Sequence, residues 1–275
     1  MNDHPLAYDD TEFMESQEAR PIRILAEYLD PLRRFKAHNI QDTVVFFGSA
    51  RVLSRHLAQR NLSRLQKTTE RGKSDYKAAL KRSRKALEWS RYYEDARTLA
   101  RQLTKWSMSL EAQRHRFVVC SGGGPGIMEA ANRGAKEAGG KSVGLNIALP
   151  FEQAPNRYIT KDLVFNFHYF FMRKFWFAYL AKAIVVFPGG FGTLDEMFEA
   201  LTLVQTRKMT KPLPIVLFGT EYWKEVINFD ALVKHGTINA ADVDLMYRTD
   251  SVDDAYHWIV PLLTKYALDN PGAKL

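Results

Sequence analysis

A short glycine-rich segment, residues 188–196, combines residue types that bind phosphate with an acidic side chain that could take part in catalysis. Its glycines are Gly189, Gly190 and Gly192, and Thr193 and Glu196 follow them. Glycine permits positive φ angles and a close approach of the backbone to a ligand. We expect Thr193 to cap the next helix, which leaves free amides and the positive end of the helix dipole facing outward. Such a turn binds phosphate groups.

The flanking residues predict that this segment joins a strand to a helix. Residues 183–187 form an uninterrupted apolar run, which is typical of a strand buried on both faces. Apolar residues then recur at helical spacing, at Leu194, Met197, Phe198, Leu201 and Val204. The Glu196 carboxylate therefore has two interpretations: it completes a capping box with Thr193, or it is a catalytic or ribose-binding group at the rim of a phosphate site. The glycines favour the second, because a capping box does not require them.

Two earlier turns have a similar composition. Apolar residues 43–47 lead into Gly48 and Ser49, and the strand-like residues 116–121 lead into a triple glycine, Gly122, Gly123 and Gly124. Further apolar runs lie at 141–147, 162–167 and 214–219 and alternate with helical patterns. This alternation predicts a parallel, doubly wound α/β sheet flanked by helices, in which a ligand passes over the carboxyl ends of the strands.

A basic pair, Arg173 and Lys174, begins a predicted helix just before the strand at 183–187. An arginine at a helix start opposes the helix dipole. It therefore indicates either a bound anion or an acidic side chain nearby, and a surface ion pair explains it equally well.

Lysine and arginine are concentrated between residues 51 and 116, which hold 18 basic and 6 acidic residues of a chain whose net charge is +8. The apolar spacing predicts at least two amphipathic helices there, divided near residues 71–74. This region could bind nucleic acid or could be a solvated helical face or an oligomer contact. We favour a solvated helical face or an oligomer contact over nucleic-acid binding, because the charges spread along the helices. We expect one domain over residues 21–275, with 51–116 as a basic helical insertion and 1–20 as a disordered acidic tail.

Composition excludes several classes of protein. The single cysteine, Cys120, cannot form a disulfide framework, and a reducing compartment suits it. The acidic N-terminal residues do not form a signal peptide, and the most apolar stretch, 163–187, is interrupted by lysine and arginine. The seven histidines are scattered. We therefore expect a cytoplasmic protein that needs no metal ion or other cofactor and does not bind membranes.

The segment 188–196, read as Pro-Gly-Gly-x-Gly-Thr-x-x-Glu, resembles the signature of the LOG (Lonely Guy) family, whose members include cytokinin riboside 5′-monophosphate phosphoribohydrolases and are often mislabelled lysine decarboxylases. The other two glycine turns and the Arg173–Lys174 pair support the resemblance, which covers roughly residues 40–50 and 117–220. It implies a Rossmann-like homodimer that hydrolyses the N-glycosidic bond of a nucleoside 5′-monophosphate, AMP or a related purine or cytokinin riboside monophosphate. The products are the free base and ribose 5-phosphate.

The same resemblance assigns roles to residues. Arg173 and Glu196 are expected to be the catalytic pair. Substrate and phosphate binding is expected from Gly48, Ser49, Gly122, Gly123, Gly124, Lys174, Gly189, Gly190, Gly192 and Thr193. Phe170 and Phe171 stand where plant-type members carry Met-His, so the resemblance does not define the base.

A second function belongs to another class. Proteins resembling molybdenum-cofactor carriers share this type of fold and its glycine turns, and they bind a phosphorylated pterin without hydrolysing it. A carrier needs a phosphate site but not the Arg173 and Glu196 pair, so the presence of both residues favours the hydrolase.

Overall fold

Seven parallel strands form the centre of the protein in a computed structural model that describes residues 5–67, 74–110, 115–150 and 154–272. They are β1 (Thr43–Phe47), β2 (Val118–Ser121), β3 (Ser142–Ile147), β4 (Val164–Phe167), β5 (Ala181–Val186), β6 (Ile215–Phe218) and β7 (Met246–Thr249). Their order across the sheet is β4-β3-β2-β1-β5-β6-β7. The prediction of a doubly wound parallel sheet is confirmed, and β7 is an edge strand that the sequence patterns did not indicate.

Ten helices surround the sheet in the described residues. They are α1 (Thr11–Glu15), α2 (Arg20–Ala37), α3 (Arg55–Gln66), α4 (Ser74–Ser109), α5 (Ile127–Glu137), α6 (Phe170–Leu180), α7 (Phe191–Gln205), α8 (Thr220–Val226), α9 (Phe229–Lys234) and α10 (Val252–Tyr266), with 3₁₀ turns at Lys161–Leu163 and Ala240–Leu245. One face of the sheet packs against α2, α6, α7, α8 and α9. The other packs against α4, α5 and α10. Each face therefore has its own apolar core, as the Rossmann-like architecture requires.

The basic region is part of this core and not a separate insertion. In the second half of α4, Tyr92, Ala96, Leu99 and Leu103 are all at least 96% buried and belong to the core beneath the sheet. The small residue Gly134 of α5 fits against α4, because a Cβ there would lie 2.1 Å from the Arg97 carbonyl. Helix α4 is thus the crossover between β1 and β2. The predicted division near residues 71–74 falls largely outside the described residues.

Residues 5–20 also differ from the prediction of a disordered tail over 1–20, of which residues 1–4 lie outside the described residues. Helix α1 begins after Asp10, whose carboxylate accepts the Phe13 amide at 3.1 Å. Ala19 is fully buried. Local capping and this burial order a segment whose composition alone indicates disorder.

Helix α2 continues through Pro31, a residue type that usually kinks or ends a helix. A proline cannot donate to the carbonyl four residues earlier, which here belongs to Glu27. The Trp176 indole N–H donates to that carbonyl at 3.1 Å and so replaces the missing bond. Helix α10 likewise continues through Pro261.

The carboxyl ends of β1 and β5 face one crevice. From β1 the chain crosses to β2 on one side, and from β5 it crosses to β6 on the other. A crevice where the strand order reverses in this way is the usual ligand site of an open α/β sheet. In the described ranges no helix is both long and apolar enough to cross a membrane.

Candidate functional site

A cleft of about 590 Å³ opens at the carboxyl ends of β1 and β5. Nine of the residues predicted from sequence line it: Gly48, Ser49, Gly122, Arg173, Gly189, Gly190, Gly192, Thr193 and Glu196. They come from three glycine turns and two helices that are far apart in the chain. The parallel sheet brings them together, because the carboxyl ends of its strands meet at one edge.

The start of α7 forms one wall of the cleft. The helix begins at Phe191, and its first backbone bond runs from the Leu194 amide to the Gly190 carbonyl at 3.0 Å. The amides of residues 191–193 therefore precede the helical ladder and point toward the cleft side of the helix end, where the dipole is positive. Gly190 is the N-cap and no side chain caps the helix, so the prediction that Thr193 is the cap is wrong.

The glycines of this turn are needed for space and not for positive φ, as none of the three has a positive φ angle. At Gly189 a Cβ would lie 2.1 Å from Thr193 Oγ1, so only glycine fits against that buried threonine. At Gly190 and Gly192 a Cβ would meet nothing within 4 Å. These two positions border open cleft, which a ligand can approach closely.

Glu196 and Arg173 form an ion pair inside the cleft. Arg173 Nη2 lies 3.4 Å from Glu196 Oε1, and the side chains are only 14% and 6% exposed. Arg173 is in the first turn of α6, and Glu196 is in the second turn of α7. The capping-box interpretation of Glu196 is wrong, because α7 starts too early for this carboxylate to reach its N-cap. Glu196 is therefore available for chemistry in the cleft.

Burial decides the protonation of this pair. It raises the pKa of Glu196 from 4.5 to about 7, against the opposing influence of Arg173 and Lys174. Burial likewise lowers the pKa of Arg173, although Glu196 and Asp195 oppose that change. A carboxyl group with a pKa near 7 can either accept or release a proton at neutral pH.

The Arg173 side chain lies near two aromatic rings, and one of its buried nitrogens lacks a partner in the described residues. Its guanidinium lies 5.2 Å from the ring centre of Phe170 and 5.7 Å from that of Phe177. The buried Nε atom has no hydrogen-bond partner in the described part of the chain. A buried donor without an acceptor is costly, and a polar ligand in the cleft could supply one.

The glycine turn after β1 is tied firmly to its neighbours. The Ser49 amide donates to the Pro188 carbonyl at 3.0 Å, and the Phe187 amide donates to the Phe47 carbonyl at 2.8 Å. A Cβ at Gly48 would lie 2.7 Å from the Ile127 side chain. Gly126, which was not among the predicted site residues, has a φ of +71° and would bring a Cβ within 2.3 Å of the Ser49 carbonyl. These contacts fix the floor of the cleft.

Three predicted binding residues lie outside the cleft lining. Gly123 has a φ of +74° and leaves no room for a Cβ beside Asn146, and the Asn156 amide group donates to the carbonyls of Gly123 and Gly124. Lys174 forms ion pairs with Asp195 at 2.9 Å and Glu199 at 3.0 Å. Their contacts are structural: the first two shape the turn, and Lys174 joins α6 to α7.

Apolar and basic side chains that the sequence analysis did not assign to the site complete the lining: Phe47, Ala50, Arg51, Trp89, Met128, Phe177, Phe191, Leu194 and Tyr222. Tyr222 donates its hydroxyl to the Gly189 carbonyl at 2.7 Å. Trp89, from α4, packs edge-to-face on Tyr222 with ring centres 5.5 Å apart. Trp89 is more than 100 residues from Glu196 in the chain, and no local pattern marks it as part of the site. Among the described residues, no group of three His, Cys, Asp or Glu side chains could hold a metal ion.

Comparison with known sequences gives one family. The family model described as "Possible lysine decarboxylase" matches residues 128–259, just under half of the chain. The "Probable cytokinin riboside 5'-monophosphate phosphoribohydrolase LOGL5" of Oryza sativa subsp. japonica is 30% identical over 124 residues, which are 44% of this chain and 49% of that protein. The "Cytokinin riboside 5'-monophosphate phosphoribohydrolase" of Rhodococcoides fascians is 29% identical over 125 residues, 44% of this chain and 59% of that protein. The chain thus matches about half of the length of these relatives, and the matches confirm the resemblance noted above.

Solved structures show a more distant similarity. The X-ray structure of TM1055 has 21% identity and a TM-score of 0.46, covering 79% of this chain and 98% of that one. The Moco carrier protein from Chlamydomonas reinhardtii has 19% identity and a TM-score of 0.46, covering 82% of this chain and 99% of that one. At these values neither structure supports a conclusion about function.

Proposed function

We propose that this chain, which belongs to the LOG family, hydrolyses the N-glycosidic bond of a nucleoside 5′-monophosphate to free base and ribose 5-phosphate. AMP, or a related purine or cytokinin riboside monophosphate, is the substrate we favour. The observation that carries the proposal is the buried Arg173–Glu196 pair beside the open N-terminus of α7. Phosphate binding alone requires the helix end and does not require a buried carboxylate with a pKa near 7.

In this proposal the phosphate binds at the start of α7. The amides of residues 191–193 donate to its oxygens, and the helix dipole adds to the attraction. Gly190 and Gly192 leave the space that a close approach requires. Arg51 and Arg173, which also line the cleft, neutralise the charge of the phosphate.

The ribose then lies beside Glu196. Cleavage of the bond between C1′ and the base nitrogen develops positive charge on the sugar ring, as in other glycosidic hydrolyses. An ionised carboxylate in a buried site stabilises that charge strongly, because little water screens it. The guanidinium of Arg173 holds the Glu196 carboxylate in place. A water molecule supplies the hydroxyl group that becomes bonded to C1′, and its remaining proton completes the free base.

The apolar part of the cleft receives the base. Trp89, Tyr222 and Met128 line the cleft and offer flat or polarisable surfaces to a planar heterocycle. The hydroxyl of Tyr222 is held by Gly189, so this aromatic wall is connected to the phosphate-binding turn. We further propose a cytoplasmic location, since the only cysteine, Cys120, is buried and has no disulfide partner.

Incubation of the purified protein with AMP, GMP, IMP, CMP and UMP, and with adenosine as the unphosphorylated control, tests this function. Free base is measured by chromatography. We expect base from at least one purine monophosphate and none from adenosine. Binding of the monophosphates without release of base would contradict the hydrolase and favour a carrier of phosphorylated ligands.

A further inference from the structure

Helices α3 and α4 carry a dense group of exposed basic side chains. Residues 51–67 and 76–87 hold ten lysines and arginines and no acidic residue, and all ten side chains are exposed. No large apolar side chain is exposed in these two ranges. The whole chain has a net charge of +8, so the 18 basic and 6 acidic residues of 51–116 leave the remainder net acidic. The positive charge of the protein is therefore concentrated on this part of its surface.

Packing of α3 against α4 gathers part of this charge around one groove. Ala58 and Leu62 of α3 are buried, and α3 packs along α4. A shallow groove between the two helices has the polar lining residues Arg60, Asn61, Ser63, Arg64, Lys67 and Ser83. A second groove shares Arg60 and Ser63 with the first and extends along α3 to Arg55. Together they form a basic groove about 18 Å long, which is the rise of the twelve helical residues from Arg55 to Lys67.

The basic side chains of this groove have no acidic partner in the described part of the chain. Arg60, Arg64 and Lys67 form no ion pair there. In the second half of α4, by contrast, Arg97 pairs with Glu94 at 3.1 Å. Glu94 is the one acidic residue in the described lining of the groove, and this ion pair already neutralises it. The groove therefore keeps a positive charge that the protein itself does not compensate.

Repulsion within each helix makes this arrangement unfavourable for the free chain. Arg60 and Arg64 are four residues apart, and so are Lys77 and Lys81. Like charges at this spacing destabilise a helix. A surface of mixed charges would keep the protein soluble without such repulsion. A bound anionic partner offsets the repulsion, because its negative charges lie beside the basic side chains.

The chemistry of the groove favours one class of anionic partner. A membrane-binding helix exposes a broad apolar face, and a protein interface centres on apolar or aromatic anchors, but residues 51–67 and 76–87 expose neither. Binding of single-stranded nucleic acid uses exposed rings for base stacking, which these two ranges also lack. Guanidinium groups beside serine and asparagine side chains are instead typical ligands of backbone phosphates.

We propose that the basic groove binds the phosphate backbone of double-stranded nucleic acid without reading its sequence. The spread of charge along the chain favoured a solvated face or an oligomer contact over nucleic acid. Because the fold places α3 and α4 side by side, that reason does not apply to the groove. The proposal does not depend on the reaction of the cleft.

Fluorescence anisotropy of labelled duplexes tests this binding with the full chain, with DNA in one arm and RNA of the same sequence in the other. We expect micromolar or tighter binding to at least one duplex at about 50 mM salt, and equal binding to a duplex of unrelated sequence. The four basic residues of the groove are Arg55, Arg60, Arg64 and Lys67. Four phosphate contacts should weaken binding about 100-fold between about 50 and about 200 mM salt, because each contact releases counterions.

A double variant tests whether the groove is the binding surface. Arg60→Gln/Arg64→Gln should bind at least tenfold more weakly, and the slope of log affinity against log salt should fall by about 2, because two phosphate contacts are lost. Both side chains are exposed and glutamine is a good helix former, so the Tm should be unchanged. Lys224→Gln/Lys234→Gln makes the same change in net charge at exposed positions of α8 and α9. This matched control should keep the wild-type affinity.

Several outcomes would overturn the proposal. One is that neither duplex binds at about 50 mM salt. Another is that Arg60→Gln/Arg64→Gln keeps the wild-type affinity and salt slope. A single strand that binds more tightly than the duplex would contradict the choice of partner. Polyglutamate or phosphatidylserine vesicles that displace the duplex at a lower concentration of charge would assign the groove to an acidic protein or to a membrane.

Discussion

Replacement of Glu196 by glutamine should abolish base release and at the same time stabilise the protein. The two side chains have nearly the same size and shape, but glutamine cannot ionise. Glu196 is 6% exposed, and burial raises its pKa from 4.5 to about 7. The folded protein therefore holds this proton more tightly than the unfolded chain does.

The sign and size of the effect follow from the two pKa values. Below pH 4.5 the group is protonated in both states and contributes nothing. As the pH rises toward 7 the unfolded chain releases the proton first, so the free energy of unfolding falls. Ionisation of Glu196 lowers the free energy of unfolding by about 3 kcal/mol at pH 8 and by less than about 1 kcal/mol at pH 5. Glu196→Gln removes this cost, which for a chain of this size is roughly a 6 °C rise in Tm at pH 8.

Thermal unfolding of both proteins at pH 5 and pH 8 measures this difference, and other titrating groups cancel in the comparison. Chromatography of AMP incubations measures the activity. Glu199→Gln is the matched control, because Glu199 lies on the same helix, pairs with Lys174 and does not line the cleft. We expect the control to retain turnover.

Two results would refute the reasoning. Equal Tm values for wild type and Glu196→Gln at pH 8 would mean that the carboxylate is solvated well enough to ionise at no cost. Retained base release by Glu196→Gln would mean that the carboxylate takes no part in the reaction.

Other substitutions test the remaining parts of the account. Gly192→Ala should raise the Michaelis constant for AMP about tenfold, with unchanged Tm, because its methyl group enters open cleft and weakens a charge-assisted hydrogen bond of about 1.5 kcal/mol. Gly189→Ala should instead lower the free energy of unfolding by about 1–3 kcal/mol, since no space exists for its Cβ. Trp89→Ala should raise the Michaelis constant for AMP and leave inhibition by ribose 5-phosphate unchanged, because only the base contacts this ring. Asp42→Ala should cost about 3–5 kcal/mol, because it leaves Arg116 buried without the carboxylate 2.9 Å away.

Each of these has a clear opposing result. An unchanged Michaelis constant for Gly192→Ala would mean that the phosphate does not bind at the start of α7. A fully stable Gly189→Ala would show that the turn relaxes freely around Thr193. Weaker inhibition by ribose 5-phosphate in Trp89→Ala would place the ring beside the sugar phosphate. An Asp42→Ala protein with wild-type stability in urea would mean that water reaches Arg116.

The strands at the centre of the sheet could be predicted from sequence because strands buried on both faces are apolar without interruption. Strand β7 was not predicted, since it is a short edge strand in which Arg248 lies exposed. The start of α7 was placed too late because capping residues usually mark helix starts, and here Gly190 begins the helix without a side-chain cap. Local patterns thus identify strands buried on both faces and helix starts with a side-chain cap, and they miss a short exposed edge strand and an uncapped helix start.

The candidate site could be predicted from sequence only where neighbouring residue types in one turn or helix start indicate a function. The turn at 188–196 combines its glycines with Glu196, and Arg173 stands out because it opposes a helix dipole. Trp89 could not be predicted, because only the path of α4 over the sheet brings it to the cleft. Gly123 and Gly124 resemble a ligand-binding turn in sequence, but Asn146 and Asn156, more than 20 residues away, account for them structurally.

The central claim is that the cleft breaks the bond between ribose and base of a 5′-monophosphate. Phosphorus NMR of AMP incubated with the wild-type protein tests it most directly, because it follows the phosphate through the reaction. We predict that the AMP signal converts fully to that of ribose 5-phosphate, with an equal amount of free adenine. An AMP signal that stays unchanged or only broadens on binding, with no ribose 5-phosphate from any of the other purine monophosphates, would contradict the account.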